Sequence, residues 1–122
     1  MKFDLSKYEL KDTAVCNIMV RGEPMLGEND LPVSVEIYGA GTPEHTVAQQ
    51  KLKKSITWGG NKALQSDEQA IKDWANYLAG ITKTINNFPC ESYFDVYNNV
   101  KLSYITDQVT SFINEKESFL PS

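Results

Sequence analysis

The chain has 122 residues, which is the size of one ordinary domain and leaves no room for a second. Hydrophobic residues make up 41% and charged residues 23%, so neither a disordered chain nor a fibrous repeat is expected. Sixteen acidic residues against twelve basic ones give a net charge of -4, which disfavours nucleic acid as a partner because phosphate binding depends on clustered cations.

Membranes are also disfavoured as partners. No apolar stretch approaches the roughly 18 residues that a membrane helix needs, and the charged opening MKFDLSKYELKD differs from the apolar core of a signal peptide. We therefore expect a soluble protein of a cytoplasm. Cys16 and Cys90 belong to no Cys-x-x-Cys pair and are expected to be reduced, structural thiols.

The first third of the chain predicts a polar arm followed by a β-hairpin. Residues 1–12 form the arm, and the β-rich run AVCNIMV follows it. After a turn-rich loop over residues 21–31, the sequence VSVEIY alternates apolar and polar residues with period two, which is typical of a half-buried strand. The two strands predict a hairpin over residues 14–38. Its edge strand offers hydrogen-bonding groups to a neighbouring chain, unless loop prolines and charges protect it.

A helical region is predicted over residues 43–120. The first helix has Thr42 as its N-cap, Pro43 in its first turn, and Trp58 with the following glycines at its end. The second begins after the capping box SDEQ and has an apolar stripe that extends to Ile85. A turn or two of helix is predicted within SYFDVYNNV, and the last helical stripe runs from Lys101 to the region of Phe119. Residues 1–122 are thus predicted to be one α+β domain, with an N-terminal β-hairpin and a helical body of three to four helices.

Residue types that support catalysis or metal binding are sparse. The single histidine, His45, lies in the first turn of a predicted helix and is expected to contribute to capping or to face solvent. It has no second histidine at the spacing of a zinc site, and GAGTPEH lacks the third glycine and the lysine of phosphate-binding loops. The sequence therefore predicts a non-enzymatic protein with no catalytic residue, no cofactor and no metal site.

Large apolar residues at positions with little local structure to bury them indicate a partner-binding surface. Trp58, beside two glycines, and the pair Phe119 and Leu120 are the clearest examples. Docking onto the core of the domain itself is an equal alternative for them. Phe112 of the last helix is a further candidate, although a core position is the simpler explanation for it.

The order of several short segments resembles the tail assembly chaperones of tailed bacteriophages. These segments are DLSKYELKDTAV, VCNIMVRGEPML, DLPVSVEIYGAGTPEHTVAQQ and, most specifically, YITDQVTSFINEKESFL. The resemblance implies a small hairpin or sheet followed by a helical body. It also implies a non-enzymatic factor of the host cytoplasm that binds the tape measure protein and helps to bring tail tube protein to it. A homo-oligomer along that client is compatible with such a role and with the edge strand, and one chain alone leaves the oligomeric state open.

Two other functions remain open at this stage. One is a structural component that stays in the virion, such as a tail-completion or head accessory protein. The other is a small enzyme, or an inhibitor of a host enzyme, which would be revealed by a deep polar pocket that holds a carboxylate of shifted pKa.

Overall fold

The computed structural model of the chain describes residues 11–58 and 67–115. In these ranges the strands are β1 (Thr13–Asn17), β2 (Met19–Val20), β3 (Glu23–Pro24), β4 (Ser34–Tyr38) and β5 (Thr82–Asn86). The helices are α1 (Pro43–Trp58), α2 (Asp67–Ile81), α3 (Tyr93–Asn98) and α4 (Ser103–Asn114), with short 3₁₀ turns at Glu28–Asp30 and Val100–Leu102. The predicted α+β class with N-terminal strands is confirmed.

The main sheet has three antiparallel strands in the order β1-β4-β5. The two strands of the predicted hairpin pair with each other, from Thr13 opposite Tyr38 to Asn17 opposite Ser34. On its other side β4 pairs with β5, with an irregularity after Glu36. As a result, β4 is the central strand, and β1 and β5 are the two edges.

The prediction that the second helix reaches Ile85 is wrong. α2 ends at Ile81, and the next five residues, TKTIN, form β5. Three of those five residues are β-branched, which favours extended backbone, and Ile85 lies opposite Val35 in the sheet. Thr82 Oγ1 donates to Leu78 O at 2.7 Å and so binds a carbonyl in the last turn of α2. A third strand is therefore inserted into the region that was predicted to be entirely helical.

The connection between β1 and β4 is also more ordered than the predicted loop. The strand predicted over residues 14–20 breaks at Ile18, so Val20 belongs to the small β2-β3 ladder and is exposed. Gly27 packs against the backbone after β5, where an added Cβ would lie 1.9 Å from Asn87 O. Because no side chain fits there, Gly27 allows the connection to pack against the end of the sheet.

The hydrophobic core lies between one face of the sheet and the helices. Alternate residues of β4 are completely buried, whereas those between them are half-exposed. The largest fully buried side chains are Ile18, Val33, Val35, Ile37, Leu78, Ile81, Ile105 and Val109. Tyr77 and Tyr97 are buried as well. α2 is the central helix of the body, because it packs against both α1 and α3.

The opposite face of the sheet is mostly polar. Thr13 Oγ1 donates to Glu36 Oε2 at 2.8 Å, and Glu36 also forms an ion pair with Lys83 at 3.8 Å. Asn86 Nδ2 donates to Ser34 Oγ at 3.0 Å. These side chains satisfy one another across the strands, so this face is an ordinary exposed surface of a one-sided sheet.

We expect Ile37→Ala to lower the free energy of unfolding by about 2–5 kcal/mol, because it leaves a cavity beneath the central strand. Val100→Ala is the control: its side chain is 69% exposed, and its loss is expected to stay within about 0.5 kcal/mol. Urea denaturation measures both values. Similar losses in the two variants would contradict this placement of the core.

Candidate functional site

The structure describes only one of the four predicted partner-binding side chains. Phe112 lies on α4, is half-buried and packs against the edge of the core. Trp58 is the last residue of α1, and its side chain lies outside what the structure describes. Phe119 and Leu120 also lie outside the described residues. Phe112 contacts the core, as the simpler explanation predicted, and it also lines a groove; its partner-binding role stays a prediction.

This groove, here called the edge groove, is an open depression of about 510 Å³ between β1 and α4. One wall consists of residues 15–17 and Met19. The other consists of Asp107, Gln108, Ser111, Phe112 and Glu115. Val15 is 50% exposed and Met19 is 39% exposed on one wall, and the half-buried Phe112 lies on the other, so the groove has apolar surface on both of its sides.

Two backbone hydrogen bonds that flank β1 determine which of its residues bond to β4. Gly39 N donates to Asp12 O at 2.8 Å at one end, and Ile18 N donates to Val33 O at 3.1 Å at the other. Hydrogen-bonded pairs alternate along an antiparallel ladder. The even-numbered residues of β1 therefore direct their backbone groups toward β4.

The odd-numbered residues of β1 form an open edge. The backbone N–H and C=O groups of Thr13, Val15 and Asn17 point away from β4, and Val15 and Asn17 line the edge groove. No hydrogen bond joins them to any other residue in the described ranges. The sequence of β1, TAVCN, contains neither a charged residue nor a proline, the usual features that protect an edge strand.

Gln108 takes the place of a neighbouring strand where this edge ends. Its Oε1 accepts from Met19 N at 2.7 Å and its Nε2 donates to Met19 O at 2.8 Å, which are the two bonds that a paired strand would make. Nε2 also donates to Tyr104 O at 3.1 Å, which orients the amide. The open edge therefore stops before Met19 and is five residues long, the length of β1.

A second depression, here called the helix groove, runs along α1 and α2 and has a volume of about 700 Å³. Its lining includes Val47, Lys51 and Lys54 of α1 and Asp73 and Asn76 of α2. The backbone on both sides is helical and already hydrogen-bonded internally, so a ligand would meet side chains alone. The edge groove adds directional backbone groups to its apolar surface and is the more specific of the two.

The prediction for His45 is wrong. The imidazole is 8% exposed, and its Nε2 lies 3.2 Å from Tyr77 Oη. Thr42 provides the predicted cap, since its Oγ1 accepts from His45 N at 3.3 Å. Burial lowers the pKa of His45 below its ordinary value of 6.5, and Nδ1 has no partner among the described residues. The ring is therefore a neutral part of the contact between α1 and α2.

The remaining reactive groups are in environments that suit structural roles. Burial raises the pKa of Cys16 to about 11, which keeps this thiol protonated at neutral pH. Cys16 and Cys90 are both free thiols, as predicted. Within residues 11–58 and 67–115, no three His, Cys, Asp or Glu side chains are grouped so that they could hold a metal ion. Over the same ranges, no helix has the length and apolar character required to cross a membrane.

Comparison of the chain with protein-family models, with curated proteins and with solved structures gives no match. The resemblance to tail assembly chaperones therefore stays an expectation from the sequence. Function is inferred below from the residues and their geometry.

We expect Gln108→Ala to remove the hydrogen-exchange protection of the Met19 amide, because Gln108 Oε1 is the acceptor for that N–H. The Ile18 amide, which donates to Val33 O, should keep its protection. Ser111→Ala, on the same wall of the groove, is the matched control and should leave both amides unchanged. Amide exchange followed by NMR measures this. Unchanged protection of Met19 in Gln108→Ala would contradict the role assigned to the glutamine.

A second prediction concerns pH. Because the pKa of His45 is lower in the folded chain than its ordinary value of 6.5, the unfolded chain binds this proton first as the pH falls. The contribution of the neutral His45 ring to the free energy of unfolding is complete above pH 6.5. It is lost as the pH falls through the folded-state pKa of this residue. We expect His45→Gln to remove this part of the pH dependence in urea unfolding series between about pH 8 and about pH 5. Identical pH dependence in both proteins would contradict it.

Proposed function

We propose that this protein is a non-enzymatic assembly factor that binds an extended segment of another protein in the edge groove. The open edge of β1 carries this proposal. An extended chain beside it would pair with the backbone groups of Thr13, Val15 and Asn17, and its side chains would bury apolar surface against Phe112. Backbone pairing supplies affinity for many sequences, because it does not depend on the side chains of the partner.

We further propose that the assembly is a bacteriophage tail, with the tape measure protein as the client and tail tube protein as the subunit that is brought to it. The resemblance of the segments ending in YITDQVTSFINEKESFL supports this context. Such a factor works at high copy number in the host cytoplasm, where a net charge of -4 favours solubility. An open edge of five residues supports a contact that is short enough to be reversible.

The state of the reactive groups supports a binding role over a catalytic one. The Cys16 thiol is held protonated by burial, and the His45 ring is engaged by Tyr77 inside the helical body. The edge groove is lined by carboxylates, amides, the hydroxyl of Ser111, the protonated thiol of Cys16 and apolar groups. Its directional features are backbone hydrogen-bonding groups, which recognise another backbone.

Val15→Pro tests the proposal most sharply. The N–H of Val15 faces the edge groove and makes no bond to β4, so proline removes a donor from the edge while the pairing with β4 is kept. Val15→Lys places a charge on the same edge without changing the backbone. Val15→Thr is the matched control, because it keeps both the β-branched shape and the N–H.

Each variant is to be co-expressed with the tape measure protein of the same phage and analysed by gel filtration. We expect the native chain and Val15→Thr to keep the client soluble and to elute with it. Val15→Pro and Val15→Lys are expected to lose binding to the client. Their circular dichroism spectra and melting temperatures should stay near those of the native chain. A client that aggregates and elutes apart from the native chain would refute the chaperone role. Client binding by Val15→Pro and Val15→Lys at native strength would refute the edge groove as the site.

Mass spectrometry of purified particles separates a transient chaperone from a structural component. We expect the protein to be absent from mature virions or present only in trace amounts. A stoichiometric amount in the particle would instead establish the structural role.

A further inference from the structure

We infer that the edge groove selects an extended segment that carries two basic residues four positions apart, with an apolar residue midway between them. This inference rests on the proposed function, because it specifies which segments the open edge accepts. It follows from the spacing of charges on α4 and from the geometry of a strand.

The wall of the groove that α4 supplies has an acidic residue at each end. Asp107, Ser111 and Glu115 follow one another at four-residue intervals and therefore form one stripe, in which Glu115 is the first residue after the helix. A rise of 1.5 Å per residue places about 12 Å between the two carboxyl-bearing residues along the axis. Phe112 lies next to the middle of this stripe.

The repeat of a β-strand matches this spacing. Alternate residues of an extended chain point to the same side and the rise is about 3.3 Å per residue, so residues i and i+4 lie about 13 Å apart on one face. Basic side chains at these two positions would each reach one carboxylate of the stripe. The side chain at i+2 would then contact Phe112, where an apolar group is favoured.

The length of the edge agrees with the same register. Gln108 binds Met19 where the edge ends, and the acidic residues that precede and follow Gln108 in the sequence, Asp107 and Glu115, line the same wall of the groove. The open edge is the five residues of β1, which is the span from i to i+4. A longer paired segment would have to displace Gln108 from Met19.

The negative charge of the groove favours a basic partner. Asp107 and Glu115 form no ion pair with any residue in the described ranges, and no described lysine or arginine lines the groove. Two carboxylates beside an open edge attract lysine or arginine and repel acidic segments, which adds specificity to backbone pairing.

A second copy of the chain does not provide such a segment. Lys7 and Lys11 are the only basic residues four positions apart in the whole sequence, and the residue midway between them is Glu9. The occupant that fits the groove is therefore a different protein that contains a basic, apolar-centred strand segment.

A labelled synthetic peptide of sequence Thr-Lys-Thr-Val-Thr-Lys-Thr tests this selection by fluorescence anisotropy. The comparison peptide, Thr-Thr-Lys-Lys-Thr-Val-Thr, has the same composition in a different order. We expect the native chain to bind the first peptide about five- to tenfold more tightly, since exposed ion pairs contribute up to about fivefold each. The preference should shrink as salt is added.

The variant that combines Asp107→Asn with Glu115→Gln should bind the two peptides equally, whereas Glu91→Gln, an exposed acidic residue outside the groove, should keep the preference. Equal binding of the two peptides by the native chain would overturn the inference, and so would binding of neither. If both peptides bind equally and both are lost in Val15→Pro, the edge still binds and the proposed function stands. Peptide binding that Val15→Pro leaves unchanged would overturn the edge groove itself.

Discussion

The fold depends on β4, the central strand, which pairs with a strand on each side. This strand hydrogen-bonds to β1 on one side and to β5 on the other, and it places Val35 and Ile37 completely inside the core. Of the strands in the described ranges, only β1 and β5 join β4 in this sheet, so β1 is one of its edges. The open edge is thus a direct consequence of the order in which the strands pair. An uncharged edge of this kind can pair with another chain, which is why the proposed function is assigned to it.

α4 limits this edge and carries the acidic residues on which the inferred selectivity depends. Ile105 and Val109 anchor the helix in the core, and that anchoring leaves Gln108 in position to pair with Met19 as a strand would. The same face presents the acidic stripe and Phe112 to the groove. α4 therefore limits the open edge to the five residues of β1 and places the acidic stripe beside them. A short contact of this kind is compatible with release, which an assembly factor requires.

Local patterns in the sequence predicted much of the fold. The alternation in VSVEIY, the cap at Thr42 and the helical stripe from Trp74 to Ile81 are short-range signals, and the structure follows them. The first residues of the predicted stripe, Ala70 and Ile71, are exposed. β5 was missed because Ile81 and Ile85 have a spacing that also fits a helix, and only pairing with β4 makes the segment a strand. The edge groove was missed because its two walls are about ninety residues apart, the separation of Met19 and Gln108. The lack of charge and proline in TAVCN was the one signal that could have indicated it. His45 was misplaced because burial depends on the packing of α1 on α2, which its own segment does not encode.

Amide hydrogen exchange in the presence of the bound partner segment tests the central claim most directly. We predict that the amides of Thr13, Val15 and Asn17 gain protection, because each would donate to the added strand, and that those of Ala14 and Cys16, already bonded to β4, change little. Unchanged exchange at the three odd-numbered positions, with protection appearing along the helix groove at Val47 and Lys51 instead, would contradict strand addition at β1.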